Sequence, residues 1–241
     1  MKITILTLFP DMFKPFVGES IIKRAINNGI CEVVVKDIRD YSNLKHNHVD
    51  DTPYGGGQGM VIRFDILHDA LSDNVSDKSK VLLMTPQGKS YNQKMAEELA
   101  LEKDIVILCG HYEGFDERIL DYCDEEISIG DYVLTGGELA AMVISDSIIR
   151  LLKGATRDES HEDDSFSTGL LEYPQFTRPY EHLGKKVPDV LVNGNHEHIR
   201  KYRLYESLKK TYLRRPDLLE RYELNKEEAL MLKDIKEKYK N

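Results

Sequence analysis

Only three cysteines, at positions 31, 109 and 123, occur in the 241 residues, and no two form a CxxC pair. An odd, unpatterned set excludes a disulfide framework and predicts reduced thiols in a cytoplasmic protein, with the three cysteines as small core or surface residues. No apolar run approaches the roughly 18 residues that a membrane-spanning helix needs. Residues 1–6 lead directly into a strand pattern, so no signal-peptide cleavage region is expected. Neither GxGxxG after the first strand nor GxxxxGK[ST] occurs anywhere, which removes the turns that define dinucleotide-binding and P-loop sites. His46-x-His48 and His196-x-His198 lack a third ligand at usable spacing, so they read as exposed histidines and no metal site is expected. Internal repeats and low-complexity tracts are also missing.

The composition is that of a globular chain, 41% hydrophobic and 31% charged. A net charge of −9 argues against a nucleic-acid binder until its distribution is considered. Residues 1–171 hold 17 Lys and Arg against 30 Asp and Glu, whereas residues 172–241 hold 16 against 12. The positive excess concentrates in 196–215, where Arg200, Lys201, Arg203, Lys209, Lys210, Arg214 and Arg215 face only Glu197 and Glu206. An acidic first part and a basic second part suggest different partners for the two.

Hydrophobic patterning predicts strands at 2–9, 31–38, 80–85, 105–109 and 126–129. Helices are expected at 10–28, 64–71, 92–101, 115–122 and 137–152. Strands alternating with helical segments indicate an α/β fold with a mostly parallel sheet and helices on both faces. Residues 1–155 then form the main domain. Residues 156–168 are polar, acidic and almost without apolar side chains, which predicts an exposed linker. Helical patterns at about 197–208, 216–220 and 226–238 predict a small helical domain over 169–241.

Three apolar runs end in glycine-bearing turns: Leu83-Met84-Thr85-Pro86-Gln87-Gly88, Cys109-Gly110-His111-Tyr112-Glu113-Gly114, and Ile129-Gly130-Asp131-Tyr132-Val133-Leu134-Thr135-Gly136-Gly137-Glu138. Ligands of open α/β sheets settle outside the carboxyl ends of strands. Three such loops predict one small-molecule pocket built largely of main chain. Ile129, Tyr132, Val133 and Leu134 place apolar side chains inside a loop, where exposure is unfavourable unless something covers them. An adenine ring between apolar walls fits that arrangement. Tyr54-Gly55-Gly56-Gly57-Gln58-Gly59 reads either as a phosphate cradle or as a flexible surface loop. Arg150, near the end of an apolar helix, reads on its own as a cation complementing the helix C-terminus.

These loops, with Tyr54 to Met60, Asp164-Ser165-Phe166, Thr177-Arg178-Pro179 and Leu213-Arg214-Arg215-Pro216, closely resemble the bacterial tRNA (guanine-N1)-methyltransferase family that modifies position 37. The resemblance runs in order over essentially the whole chain. It implies a methyltransferase domain with a trefoil knot, formed where the chain threads through a loop around residues 81–137, and a helical tRNA-binding domain. It also implies a homodimer with an active site shared between the two copies. S-adenosyl-L-methionine is the implied methyl donor, held by Leu83, Pro86, Gly110, Ile129, Gly130, Asp131, Tyr132, Val133, Leu134, Gly136 and Gly137, with Glu113 close by. Asp164 takes the position of the family's general base and Arg150 that of its stabilising cation. The basic segment, with Tyr202, Tyr205 and Tyr212 interleaved, takes the role of gripping tRNA phosphates. A guanine at position 36 is implied as part of the substrate, and a Mg²⁺ role is left open. Three rival readings are a knotted methyltransferase acting on another RNA base, a non-catalytic RNA-binding protein with a relic pocket, and a phosphate-cradling nucleotide hydrolase, which would need metal-binding carboxylates near a P-loop-like turn that the sequence does not offer. The presence of Glu113, Arg150 and Asp164 together argues against the second.

Overall fold

β1 (Lys2–Thr7) is buried along almost its whole length, as a strand covered on both faces must be. It is followed by two short helices, α1 (Lys14–Gly18) and α2 (Ser20–Asn27), and by β2 (Glu32–Asp37). β3 (Asp50–Asp51) and β4 (Val61–Ile62) form a minimal antiparallel pair that sequence patterning did not reveal. α3 (Phe64–Asn74), β5 (Ser79–Ser90), α4 (Gln93–Leu99), β6 (Asp104–Cys109), β7 (Glu125–Ser128) and α5 (Glu138–Ile149) complete the first part. This computed structural model describes residues 1–156 and 165–239. The chain divides into two compact units, Met1–Asp158 and Glu159–Asn241.

The five principal strands form one parallel sheet in the order β2-β1-β6-β5-β7. Period-two alternation divides its side chains between two cores. Ile3, Ile5, Leu82, Met84, Ile105 and Ile107 pack on one face with Ala141, Ile144 and Ile148 of α5. Leu6, Val81, Leu83, Val106 and Leu108 pack on the other with Ile66, Leu67 and Ala70 of α3. The mostly parallel α/β architecture expected from sequence is therefore the architecture observed.

Three local expectations are corrected. The helix expected over 10–28 is broken into a 3-10 turn, Pro10–Phe13, and then α1 and α2. Glu19 is extended and Ser20 is left-handed with φ of 54°, which interrupts the i→i−4 ladder. The segment near 115–122 is a 3-10 helix, Glu117–Tyr122, opened by the Asp116 carboxylate accepting the Arg118 N–H at 3.1 Å. β5 does not end at residue 85. Met84 and Lys89 both lie opposite Ile127, so residues 85–88 form an outward excursion and pairing resumes beyond it.

In the second unit, β8 (Glu181–His182) and β9 (Lys185–Lys186) form a small antiparallel pair. α6 (His196–Arg214), α7 (Pro216–Leu219) and α8 (Lys226–Lys238) follow. α8 opens with a reciprocal cap: Asn225 accepts the Glu228 N–H, and Glu228 accepts the Asn225 N–H. Leu170, Leu208 and Ile235 form the buried centre of this unit. Within the expected linker, Ser165 and Phe166 are tied to this second unit. Phe166 donates its N–H to Leu170 O at 2.8 Å, and the Ser165 hydroxyl accepts the Glu172 N–H at 3.0 Å. Within the same segment, 157–164 lie outside the described residues. No helix among the described residues is long and apolar enough to cross a membrane.

Candidate active site

The 85–88 excursion of β5 and the carboxyl ends of β6 and β7 are adjacent because their strands are neighbours in the sheet. Their loops enclose a cavity of about 360 Å³ in the first unit. From β5 come Leu83 and Pro86, and from the loop after β6 come Gly110 and Glu113. The segment between β7 and α5 supplies Ile129, Gly130, Tyr132, Val133, Leu134, Gly136 and Gly137. The cavity thus gathers ten of the eleven residues expected to hold a cofactor, together with Glu113. Asp131, the eleventh, is exposed and is not part of the lining.

The wall is stitched across two loops. Gly137 donates its N–H to Gly110 O at 2.8 Å, and His111 pairs with Gly136 as an antiparallel bridge. A Cβ on Gly137 would come within 2.9 Å of Cys109 Cα and 3.0 Å of Gly110 N. Only glycine allows so close an approach. Tyr132 and Val133 are 55% and 85% exposed, so the apolar lip is left uncovered by the protein itself. Main-chain groups inside and apolar side chains at the rim fit the adenine and ribose of a nucleoside cofactor.

The glycine-rich loop lies beside this cavity. Glu113 donates its N–H to Met60 O at 3.0 Å, and Gly59 packs directly against the Glu113 side chain. Residues 54–59 are exposed beyond that anchor. Sequence reasoning passed over His111 and Phe115 as lining residues, although both stand in or next to the loop it singled out. The Phe9 ring lies 4.6 Å from the His111 ring, a contact no local pattern encodes.

Arg150 is the C-cap residue of α5, and its carbonyl accepts the Thr156 hydroxyl at 3.3 Å. It does not line the cavity. Asp164 lies outside the described residues. No group of three or more His, Cys, Asp or Glu side chains among the described residues is placed to hold a metal ion.

The basic segment falls on and just beyond α6. Arg200 is paired with Glu197 and Glu227 at 2.9 Å, and Lys201 with Glu197 at 3.4 Å. Arg200 holds the exposed Glu197 carboxyl down to about 2. Lys209 pairs with Glu206 at 2.5 Å, Arg215 with Asp217 at 2.7 Å, and Lys210 donates to Glu172 O at 2.8 Å. Arg203 stands over the Tyr173 ring at 4.7 Å. Arg214 is exposed and makes no ion pair among the described residues. The exposed pairs of Arg200, Lys201 and Arg215 are screened by solvent, so exchanging their carboxylates for a phosphate costs little. Two of the interleaved tyrosines are structural: Tyr205 donates to Asp234 at 3.1 Å, and both Tyr205 and Tyr212 pack on the core of the second unit.

Comparison with known proteins agrees with this geometry. The family described as tRNA (Guanine-1)-methyltransferase TrmD matches residues 1–221. The chain is 54% identical over 238 residues to a tRNA (guanine-N(1)-)-methyltransferase of Streptococcus uberis, covering 98% of this chain and 99% of that protein. It is 54% identical over 237 residues to a protein of the same description from Streptococcus sanguinis, with 98% of each chain covered. The chain belongs to the tRNA (Guanine-1)-methyltransferase family.

Proposed function

We propose that this protein transfers a methyl group from S-adenosyl-L-methionine to N1 of guanosine 37 in tRNA. The observation that carries this reading is the cavity formed by the 85–88 excursion and the loops after β6 and β7, in a chain of this family. The donor set fits the methyl donor: Gly110, Gly136 and Gly137 present backbone, while Tyr132, Val133 and Leu134 await a planar apolar group. When bound, the donor supplies an activated methyl on a sulfonium, so no enzyme nucleophile is required.

Guanine N1 carries a proton at neutral pH, and its lone pair becomes nucleophilic only as that proton leaves. Asp164 takes the proton, and Arg150 stabilises the negative charge that develops on O6. A free Asp has a pKa of about 3.9 and is a weak base for this task. Removal of water from around that carboxylate on substrate binding is what would raise it. A base assembled only on the correct substrate also links specificity to catalysis.

Arg150 does not line the cavity of its own unit, which accords with an active site completed by a second copy of the chain. Leu139 and Val143, one turn apart on α5, are 49% and 48% exposed and offer an apolar face for that homodimer. A trefoil knot belongs to the same reading, and in it β5 and β7 lie in close contact. Gly88 packs so tightly on β7 that a Cβ would come within 2.6 Å of Glu126 O, and Tyr91 then donates its N–H to Ser128 O at 2.8 Å. The second unit, through Arg200, Lys201, Arg203, Lys209, Lys210, Arg214 and Arg215, binds the tRNA backbone.

Labelled S-adenosylmethionine, with tRNA transcripts carrying G36-G37 or G36-A37, tests the reading. Label recovered as 1-methylguanosine only from the G37 transcript, and lost in Asp164→Ala while the cofactor still binds, is expected. Equal methylation of the A37 transcript would overturn the position, and retained activity in Asp164→Ala would overturn the base.

A further inference from the structure

Glu138 is only 2% exposed, yet it takes no part in the mechanism above. Removing a carboxylate from water is costly unless hydrogen bonds or charges compensate it. No cation lies within ion-pair distance of Glu138 among the described residues. Its compensation is local. Thr7, the last residue of β1, donates its hydroxyl to Glu138 Oε1 at 2.8 Å, and the same hydroxyl accepts the Phe9 N–H at 2.9 Å. Glu138 also opens α5, where free backbone N–H groups favour an anion.

The other carboxylate oxygen is directed at the cavity wall. A Cβ placed on Gly136 would overlap Glu138 Oε2, and it would come within 2.6 Å of His111 Nδ1. His111 and Gly136 both line the cavity and pair with each other across the two loops. Buried His111 Nδ1 has no hydrogen-bond partner, and the imidazole is held by packing, with the Phe9 ring at 4.6 Å. A packing role alone would be met by an apolar side chain at lower desolvation cost.

We infer that Glu138 is a positioning residue of the cofactor site. It fixes the Gly136–Gly137 wall to the end of β1 through Thr7 and thereby holds the pocket in its binding shape before ligand arrives. Preorganisation of this kind acts on affinity, because the ordering is not left to the binding step. The inference rests on the cofactor reading above, and it concerns residues that do not touch the reacting atoms.

Calorimetric titration with S-adenosylmethionine and with S-adenosylhomocysteine tests it on the full-length protein without tRNA. Glu138→Ala is expected to weaken both ligands alike, by about tenfold or more, the scale of one hydrogen bond to a charged group. Glu138→Gln keeps an acceptor for Thr7 and is expected to stay within about threefold of wild type. Thr7→Val should weaken both ligands, and adding it to Glu138→Ala should cost nothing further, because the two residues act through one contact. Ile144→Val, a change in the core of the same helix, lowers the melting temperature and should leave both affinities unchanged.

Wild-type affinity in Thr7→Val and Glu138→Ala would overturn the assignment. So would an Ile144→Val that loses affinity in step with its stability. Should Glu138→Ala fail to fold, Thr7→Val and Glu138→Gln decide. A wild-type protein that binds neither ligand would instead overturn the cofactor reading and leave the Thr7–Glu138 contact purely structural.

Discussion

Gly137 and Gly110 meet backbone to backbone, the N–H of one on the carbonyl of the other at 2.8 Å, across the wall of the cavity. Because the neighbours of a Gly137 Cβ are Cys109 Cα, Gly110 N and Met84 Cβ, all at 2.9–3.0 Å, relief requires main-chain movement. Gly137→Ala is therefore expected to cost about 1–3 kcal/mol of stability, the usual scale for overpacking. The displaced wall should also weaken S-adenosylmethionine binding by about tenfold or more. Thermal unfolding and calorimetry on the same sample check both, and an alanine variant with wild-type affinity would show that the wall is not in the binding surface.

The three cysteines should be inert in the folded protein. Burial raises the Cys31 thiol, raises Cys109 well above its ordinary value with help from Glu138, and pushes Cys123 up to about 12. At pH 8 a thiol with a pKa near 12 is thiolate in only about one molecule in ten thousand, and the thiolate is the reactive form. Ellman's reagent at pH 8 should find no fast-reacting thiol in native protein and three after denaturation. The sign for stability follows. The folded pKa values lie above the unfolded one of about 8.5, so stability is unaffected below that pH and falls as pH rises beyond it.

Leu208 is fully buried against Leu170 and Ile235, all within the second unit. Leu208→Ala leaves a cavity in a small core and should cost that unit about 2–5 kcal/mol. The first unit has its own two cores, so limited proteolysis should cut the helical unit first while S-adenosylmethionine binding persists. Loss of cofactor binding at the same denaturant concentration as loss of the helical unit would contradict this.

The parallel sheet was legible because Ile105 to Cys109 of β6 and Val81 to Met84 of β5 are apolar at both alternating positions, which leaves little choice but burial on two faces. The cavity was legible for a related reason: each of its loops follows such a run and carries a glycine. What stayed hidden depends on long-range contact. Pairing of Lys89 with Ile127 after the 85–88 excursion is decided by β7, not by the residues themselves. The break at Ser20 is a left-handed residue that is not itself a glycine. Thr7 and Glu138 are 131 residues apart, and neither is unusual in its local pattern. In the basic segment, sequence counted charges correctly but could not reveal that Glu227 and Asp217 already neutralise Arg200 and Arg215.

Val133 offers the sharpest separation of binding from stability. At 85% exposed it contributes almost nothing to the core, and surface substitutions of that kind change stability by no more than about 0.5 kcal/mol. Yet Val133 lies on the rim of the cavity, next to Tyr132, whose ring packs over Gly130. An apolar side chain in that position gains its burial only when a ligand arrives. Covering a valine is favourable by up to about 1.5–3 kcal/mol, of which serine keeps the part due to its Cβ. Val133→Ser should leave the melting temperature within a degree or so of wild type. The same change should weaken S-adenosylmethionine and S-adenosylhomocysteine alike, by about three- to tenfold, because both carry the same adenosine. Equal loss for the two places Val133 against the nucleoside, whereas loss confined to S-adenosylmethionine would place it against the sulfonium and its methyl group. Unchanged affinity for both would mean that the exposed lip is covered by something other than the cofactor.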